Sequence, residues 1–354
     1  MKVLFVLPTL GVGGMERAAT NLANIMVAEK VEVAFFLCAK KSHFYNLDST
    51  INIFEPNRGN ALLSTFRNVI RYRKVCKEWK PNAVLSYGQT SNILCLIANL
   101  GTNNRLFISD RGNPLIYSKK ISHRFIRWFG SKYLTGIIQQ SQKAKDIALK
   151  EMRCKNVAVI GNPILPLDNS LLSNARRENI VISVGRFIKT KNFDTMIQWF
   201  SELPTNWKLV IVGGDFQYER CRELVSQLNM EDRILLVGKQ SNVKEYLLKS
   251  KVFAFTSTSE GFPNVIGEAL AAGLPVVSFD CMAGPSEMII NGYNGFLVDD
   301  FDKEGFCNAL LRLMNNEAER EKMSINAIES IKRFDSRIIT KQTLDFLSKD
   351  TSTD

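Results

Sequence analysis

Short apolar runs alternate with longer amphipathic stretches along this chain, and the alternation starts over halfway. Val3-Leu-Phe-Val-Leu7 is followed by the amphipathic stretch Glu16 to Ala28, then by the run Val31 to Leu37, and later by Ala83 to Ser86 and Leu106 to Ser109. That is the rhythm of strand, helix, strand in a parallel sheet. After the proline-bearing stretch Asn162 to Asn179, new strand candidates follow at Ile180 to Val184, Lys208 to Val212, Ile234 to Val237, Val252 to Phe255 and Val276 to Phe279. A chain of 354 residues exceeds what one core fills, so the restart reads as a second domain. The expectation is α/β: two doubly wound, Rossmann-like domains, residues 1–165 and 166–335, facing across a cleft. Residues 336–354 would form a terminal amphipathic helix packing back towards the first domain, with a disordered end. In such sheets ligands bind outside the carboxyl ends of the strands, which makes the cleft the default site.

Composition removes several function classes. The seven cysteines, at 38, 76, 95, 154, 221, 281 and 307, are never closer than 19 residues, so no CxxC pair exists for zinc or redox work. With only His43 and His123, a histidine metal site is not expected either. The longest apolar runs, such as Ile93 to Ala98, fall far short of a transmembrane span, and Lys2 to Leu7 lacks the length and cleavage site of a signal peptide. A cytoplasmic protein with reduced thiols is expected.

Charge is unevenly spread. Residues 1–165 carry 24 Lys+Arg against 9 Asp+Glu, or +15, and 166–354 carry 22 against 26, or −4, which together give the +11 of the whole chain. The front half therefore suits an anionic surface, either acidic phospholipid or nucleic acid, although plain solubility charge explains it too. Ile121, Phe125, Trp128 and Phe129 recur at helical spacing beside Lys120, Arg124 and Arg127, and a second basic run holds Arg67, Arg71, Arg73, Lys74, Lys77 and Lys80. Basic and aromatic residues on one helix fit the headgroup layer of an anionic membrane, while an amphipathic helix facing its own core is the plain alternative.

Three motifs carry chemistry. Gly11-Val12-Gly13-Gly14-Met15-Glu16-Arg17 follows the first strand, where glycines allow close backbone approach to a phosphate or sugar at a helix start. The dinucleotide fingerprint fails there, because Glu16 occupies the third glycine position and the second strand ends in Leu37-Cys38-Ala39-Lys40 without a ribose-binding acid. Gly185-Arg186-Phe187-Ile188-Lys189-Thr190-Lys191-Asn192 follows the first strand of the second half. Arg186 and Lys191 can neutralise a diphosphate between them, unless the loop is merely solvated. Ser259 to Val277 contains Glu260 and Glu268 eight positions apart across a strand-to-helix turn, the helix opening near Pro263 and Asn264. Carboxylates accept strong hydrogen bonds from sugar and ribose diols, and the Gly261, Phe262, Pro263, Asn264, Val265 backbone can face phosphate. Helix-dipole stabilisation is the bland reading of Glu268.

Taken together, the motifs resemble the retaining glycosyltransferases of family 4. Glu260-x7-Glu268 before a Gly273-Leu-Pro-Val-Val277 strand, the Gly185-Arg186 to Lys191-Asn192 loop, Gly13-Gly14 with Glu16-Arg17, and Gly284-Pro285-Ser286-Glu287 all stand in the family's order. The resemblance covers residues 1–335. It implies a GT-B enzyme that needs no metal or cofactor and uses a nucleotide sugar, UDP-linked by analogy, as co-substrate. It assigns Arg186 and Lys191 to the diphosphate, Glu268 to the ribose and Glu260 to the transferred sugar, with Gly14 letting the front-domain loop approach the donor. It also implies attack on the same face of the sugar, the leaving phosphate oxygen taking the acceptor proton. Where many relatives carry a histidine, this chain has Ile108-Ser109-Asp110-Arg111-Gly112-Asn113-Pro114, which resembles a branch with an acid–arginine pair. Asp110 and Arg111, with Glu16 and Arg17, are thereby assigned to the acceptor. The acceptor expected is a saccharide, lipid-linked or soluble, in surface polysaccharide, lipopolysaccharide or capsule assembly, with the protein peripheral at the inner face of the membrane. A sugar-nucleotide epimerase of the same fold is the nearest rival, and a basic nucleic-acid-binding protein the rival from another class, although no nucleic-acid recognition motif is present.

Overall fold

The structure is a computed structural model that describes residues 1–11, 13–40, 43–56, 64–111, 121–282 and 284–349. It divides into two compact units, Met1–Pro163 together with the C-terminal segment from Ser336, and Ile164–Asp335. Among the described residues the first unit holds strands β1 (Lys2–Leu7), β2 (Glu32–Leu37), β3 (Asn52–Phe54), β4 (Ala83–Tyr87), β5 (Leu106–Ser109), β6 (Gly136–Gln139) and β7 (Val157–Val159). They pair in the order β3-β2-β1-β4-β5-β6-β7, all parallel. The second unit holds β8 (Ile180–Val184), β9 (Lys208–Val212), β10 (Ile234–Leu236), β11 (Val252–Phe255), β12 (Val276–Phe279) and β13 (Gly295–Val298). Their order is β10-β9-β8-β11-β12-β13, again parallel. Both units are doubly wound Rossmann-like sheets, as the alternating pattern led one to expect.

The strands read as continuous apolar runs because helices cover both faces of a parallel sheet. Val3 to Leu7 are fully buried, as are Phe253 and Val276 in the other unit. The covering helices show the complementary period. In Phe193–Ser201 the inward residues Phe193, Met196, Ile197 and Phe200 recur every three or four positions. Each such side chain contributes about 1.5–3 kcal/mol by leaving water.

The C-terminal helix Ser336–Ser348 buries Ile339, Thr343, Phe346 and Leu347 in the first unit. The Phe346 ring meets Phe107 edge-on at 5.6 Å and comes so close to Gly136 that a Cβ there would lie 2.7 Å from it. The proline-bearing stretch Asn162 to Asn179 contains the short helix Asn169–Ser173. The Asp168 carbonyl accepts from the Leu171 and Leu172 amides, and no proline beyond Pro166 stops the turn from forming.

In each sheet the order reverses beside its first strand, between β1 and β4 in one unit and between β8 and β11 in the other. The connections diverge there and leave a crevice at the carboxyl ends. The loops after β1, β4, β8 and β11 are consequently where ligands belong.

Candidate functional site

In the second unit the chain leaves β8 through Gly185, whose amide donates to Val212 O at 3.0 Å, and makes a single 3₁₀ turn at Lys189–Lys191. The turn ends at Asn192 in the left-handed region, φ +50°. Asparagine tolerates that conformation better than most residues. Its side-chain amide donates to Thr256 O at 2.9 Å and Thr258 Oγ1 at 3.3 Å, while Thr256 Oγ1 donates back to Lys191 O at 2.8 Å. The Thr258 amide donates to Thr190 O at 2.9 Å. The loop after β8 is thus stapled to the end of β11.

That stapling brings Lys191 and Glu260 together across 69 positions of sequence. Nζ donates to Oε1 at 2.6 Å, with side chains only 14% and 15% exposed, and Nζ also lies 4.7 Å from the centre of the Phe255 ring. Arg186, on the same loop, is exposed. A cation free to meet solvent beside a second cation held by a carboxylate is an arrangement suited to an anion carrying a hydroxylated group.

Glu260 precedes the helix Asn264–Ala271, and Glu268, half-buried, is the fifth residue of that helix, one turn in. Between them Phe262 is buried and meets Phe334 edge-on at 5.4 Å. Its side chain belongs to the core, so only its backbone is available to a ligand. Pro263 is buried as well, whereas Gly261, Asn264 and Val265 are half-buried. Gly284 backs this turn, with φ +106° and a notional Cβ 2.3 Å from Pro263 Cδ, so no larger residue fits. The late Gly284-Pro285-Ser286-Glu287 motif therefore supports the Gly261–Pro263 turn from behind.

Gly213, absent from the sequence reading, is the tightest point of the site. A Cβ on it would lie 1.7 Å from Gly185 O, and its φ is +148°. The Gly-Gly pair directly after the Val-Ile-Val end of β9 was the available sign.

In the first unit Gly13 precedes the helix Gly14–Ala28, and Tyr45 OH donates to Gly13 O at 3.1 Å. The Glu16 carboxylate curls back over this first turn, since a Cβ on Gly13 would fall 2.1 Å from Oε2. Gly14 and Arg17 are exposed. Across the reversal point Gly88, φ +81°, approaches Met15 so closely that a Cβ would sit 2.9 Å from its sulfur.

Asp110 does not stand open to an acceptor as its assignment supposed. Its side chain is fully buried, and Arg127 NH2 donates to Oδ2 at 2.9 Å, Asn92 to Oδ1 at 2.9 Å and Gln139 to Oδ2 at 3.3 Å. A carboxylate out of water needs such donors, and the arginine supplies the counter-charge. Arg111 stacks on Tyr87 with 4.5 Å to the ring centre and donates to Ser109 Oγ at 3.0 Å and to Asn162 Oδ1. It remains half-exposed.

Arg127 is accordingly removed from the basic face expected of the helix Ile121–Gly130. Lys120 and the side chains of Ile121 and Phe125 lie outside the described residues. What this helix does expose is Arg124 and Trp128, the latter 48% accessible with Arg153 4.8 Å from its ring, followed by Tyr133, 42% accessible, with Lys132 4.6 Å from both Tyr133 and Phe129. In the second basic run Arg73 donates to Ala98 O and Leu100 O, and Arg71 lies 4.2 Å from the Phe36 ring. Two of those cations are spent on the fold.

Among the described residues no three His, Cys, Asp or Glu side chains gather where a metal ion could be held. Burial pushes the Cys76 and Cys221 thiols up to about 11 and raises Cys38 and Cys154. Thiols so shifted stay protonated and unreactive at neutral pH. Among the described residues no helix is long and apolar enough to cross a membrane.

Residues 172–330, which span the Lys191–Glu260 pair, match the model of the family described as glycosyl transferases group 1. With two doubly wound sheets the chain has the GT-B fold, and its second unit is similar to that glycosyltransferase family. It is similar to the amylovoran biosynthesis glycosyltransferase AmsD of Erwinia amylovora, 28% identical over 95% of this chain and 96% of that one. It is equally similar, 28% over 99% of both, to a Campylobacter jejuni enzyme named GalNAc-alpha-(1->4)-GalNAc-alpha-(1->3)-diNAcBac-PP-undecaprenol alpha-1,4-N-acetyl-D-galactosaminyltransferase. Among solved structures, Anabaena Alr3699/HepE in complex with UDP superposes with a TM-score of 0.82 over 98% of this chain and 100% of that one, at 19% identity.

Proposed function

We propose that this protein is a retaining, metal-independent glycosyltransferase that moves a hexose or N-acetylhexosamine from a UDP-sugar onto a lipid-linked saccharide during assembly of a surface polysaccharide or glycan. The observation that carries the proposal is the Lys191–Glu260 pair, which joins the loop carrying the exposed Arg186 to the turn that leads into the helix carrying Glu268. In this reading Arg186 and Lys191 hold the diphosphate, Glu268 the ribose and Glu260 a hydroxyl of the transferred sugar. The backbone of Gly261 to Val265 lines the donor. Glu16, Arg17 and Arg111 serve the acceptor, Asp110 only through the fold.

As the bond from the anomeric carbon to the phosphate oxygen breaks, negative charge grows on the phosphate. Two preorganised cations stabilise that charge more than they stabilise the ground state. The acceptor oxygen then bonds to the anomeric carbon on the face that was vacated, and its proton passes to the departing phosphate oxygen. No added oxidant, reductant or metal is needed for this balance. The Campylobacter relative is named for an α-1,4 linkage and an undecaprenol-linked acceptor, and the Erwinia one for amylovoran biosynthesis, which supports the choice of acceptor class.

The exposed Trp128 and Tyr133 with Arg153 and Lys132 alongside support peripheral contact with an anionic membrane at its inner face. The test is a panel of nucleotide sugars screened for thermal stabilisation and slow hydrolysis, run beside Glu260→Ala and Lys191→Ala. A donor that stabilises the wild type and is hydrolysed at least about tenfold more slowly by both variants is expected. No stabilising donor, or normal hydrolysis by both variants, would overturn the assignment.

A further inference from the structure

Phe216 is the most exposed large apolar side chain in the described structure, 93% accessible, and it stands at the donor end of the second sheet. Water contact over a whole phenyl ring is unfavourable relative to burial. The backbone adds to that. Asp215, immediately before it, has φ +147°, a region that side-chain-bearing residues rarely adopt.

The turn is nevertheless firmly held. Phe187 donates its amide to Gly214 O at 3.1 Å and accepts at its own carbonyl from the Gln217 amide at 2.9 Å. The residues on either side of the Asp215–Phe216 pair are therefore both bonded to the residue that follows Arg186. From the other side, Gly213 donates to Gly238 O at 2.8 Å, and a Cβ on Gly214 would lie 3.1 Å from the Lys239 side chain. Loops after β8, β9 and β10 converge here, at the carboxyl edge of the sheet, and the turn that carries the exposed ring is bonded to the residue directly after the exposed Arg186.

We infer that Phe216 is the platform on which the base of the nucleotide donor stacks. The inference rests on the donor reading above and extends it to a residue that none of the motifs contains. A planar base and an adjacent anionic diphosphate match an exposed aromatic ring whose turn is bonded to the loop that carries an exposed guanidinium. A saccharide acceptor would need polar partners around the ring, whereas the side chain next to it on the loop, Asp215 Oδ1, is already taken by the Phe216 amide at 3.0 Å. A base stacked on an aromatic side chain is worth about 1–3 kcal/mol, which is about 5- to 150-fold in affinity.

The experiment compares wild type, Phe216→Ala, Phe216→Tyr and Phe216→Trp in titrations with UDP and with inorganic pyrophosphate. Phe216→Ala is expected to bind UDP about 5- to 150-fold more weakly with pyrophosphate affinity unchanged, and Phe216→Tyr to stay within about threefold of wild type. The Phe216→Trp emission should be perturbed by UDP and not by pyrophosphate. UDP affinity of Phe216→Ala within about twofold of wild type would overturn the inference and leave the donor reading standing, and a rise confined to the acceptor KM would do the same. Equal losses for UDP and pyrophosphate would show a disturbed loop and overturn it too. A wild type that binds neither UDP nor any UDP-sugar would overturn the donor reading and this inference together.

Discussion

Replacing Glu260 by glutamine removes one charge from a pair whose geometry is close to isosteric with the amide. Nζ to Oε1 is 2.6 Å and both side chains are about nine-tenths covered, 14% and 15% exposed. At an effective dielectric of about 20 the bare attraction is about 6 kcal/mol, most of it offset by the desolvation of both groups. The net worth falls between the roughly 0–1 kcal/mol of an exposed pair and the 3–5 kcal/mol lost on breaking a fully buried one, hence about 1–3 kcal/mol. In the free protein a diphosphate must draw Lys191 away from that carboxylate.

With glutamine in place the lysine keeps an acceptor but no counter-charge. UDP alone should then bind about 5- to 150-fold more tightly, while sugar transfer falls about 100-fold because the charged hydrogen bond to the sugar hydroxyl is gone. Lys191→Met should weaken UDP and transfer alike. Calorimetric titration with UDP and a coupled assay of UDP release give the two numbers, and a melting curve checks folding. If Glu260→Gln weakened UDP binding as Lys191→Met does, the carboxylate would serve only to orient the lysine, and its assignment to the sugar would be refuted.

Gly213→Ala places a methyl group 1.7 Å from Gly185 O at φ +148°, so the loops after β8 and β9 must part. UDP affinity should fall at least about tenfold and the melting temperature by several degrees, measured by titration and by calorimetry. Asp110→Asn strands the Arg127 charge in the interior and should cost about 3–5 kcal/mol in denaturant unfolding. The double change Asp110→Leu with Arg127→Met should recover much of that loss, and no recovery would count against a primarily structural pair. The Cys76 and Cys221 thiols, folded at about 11 against an ordinary 9.0, favour the native state fully below about pH 9 and progressively less as pH rises towards 11. The melting-temperature advantage of wild type over Cys76→Ala with Cys221→Ala should therefore shrink between about pH 8 and about pH 10.5. Trp128→Ala should release the protein from acidic liposomes at low salt, without altering UDP affinity, if the exposed aromatic–cation face meets the membrane.

How much was legible in the sequence varies with the range of the interaction involved. The continuous apolar runs of the strands, the 3.6-residue period of the helices and the glycine and proline punctuation are local, so the parallel-sheet class and the loops after β1, β8 and β11 could be read directly. The helix start at Asn264, which puts Glu268 one turn in, followed from Pro263 and Asn264 alone. Burial of a polar side chain is a different matter. Asp110 beside Arg111 looks like an open acid–arginine pair, yet its partner is Arg127, because the helix Ile121–Gly130 turns that residue inward. Nothing in a one-dimensional pattern tells an arginine facing lipid from one closing on a buried carboxylate.

The sequence by itself determined the layers, the two-fold restart and the residue types of the candidate site. Only the tertiary structure decided which loops meet. Strand order arises from the sum of many small burial terms over both faces of each sheet, with no local code for it. That order lays β8 against β11, and so joins Lys191 to Glu260 across 69 residues. It also lays β9 beside β8, where Gly213 fits only without a side chain and the turn bearing the exposed Phe216 is bonded to the loop after β8.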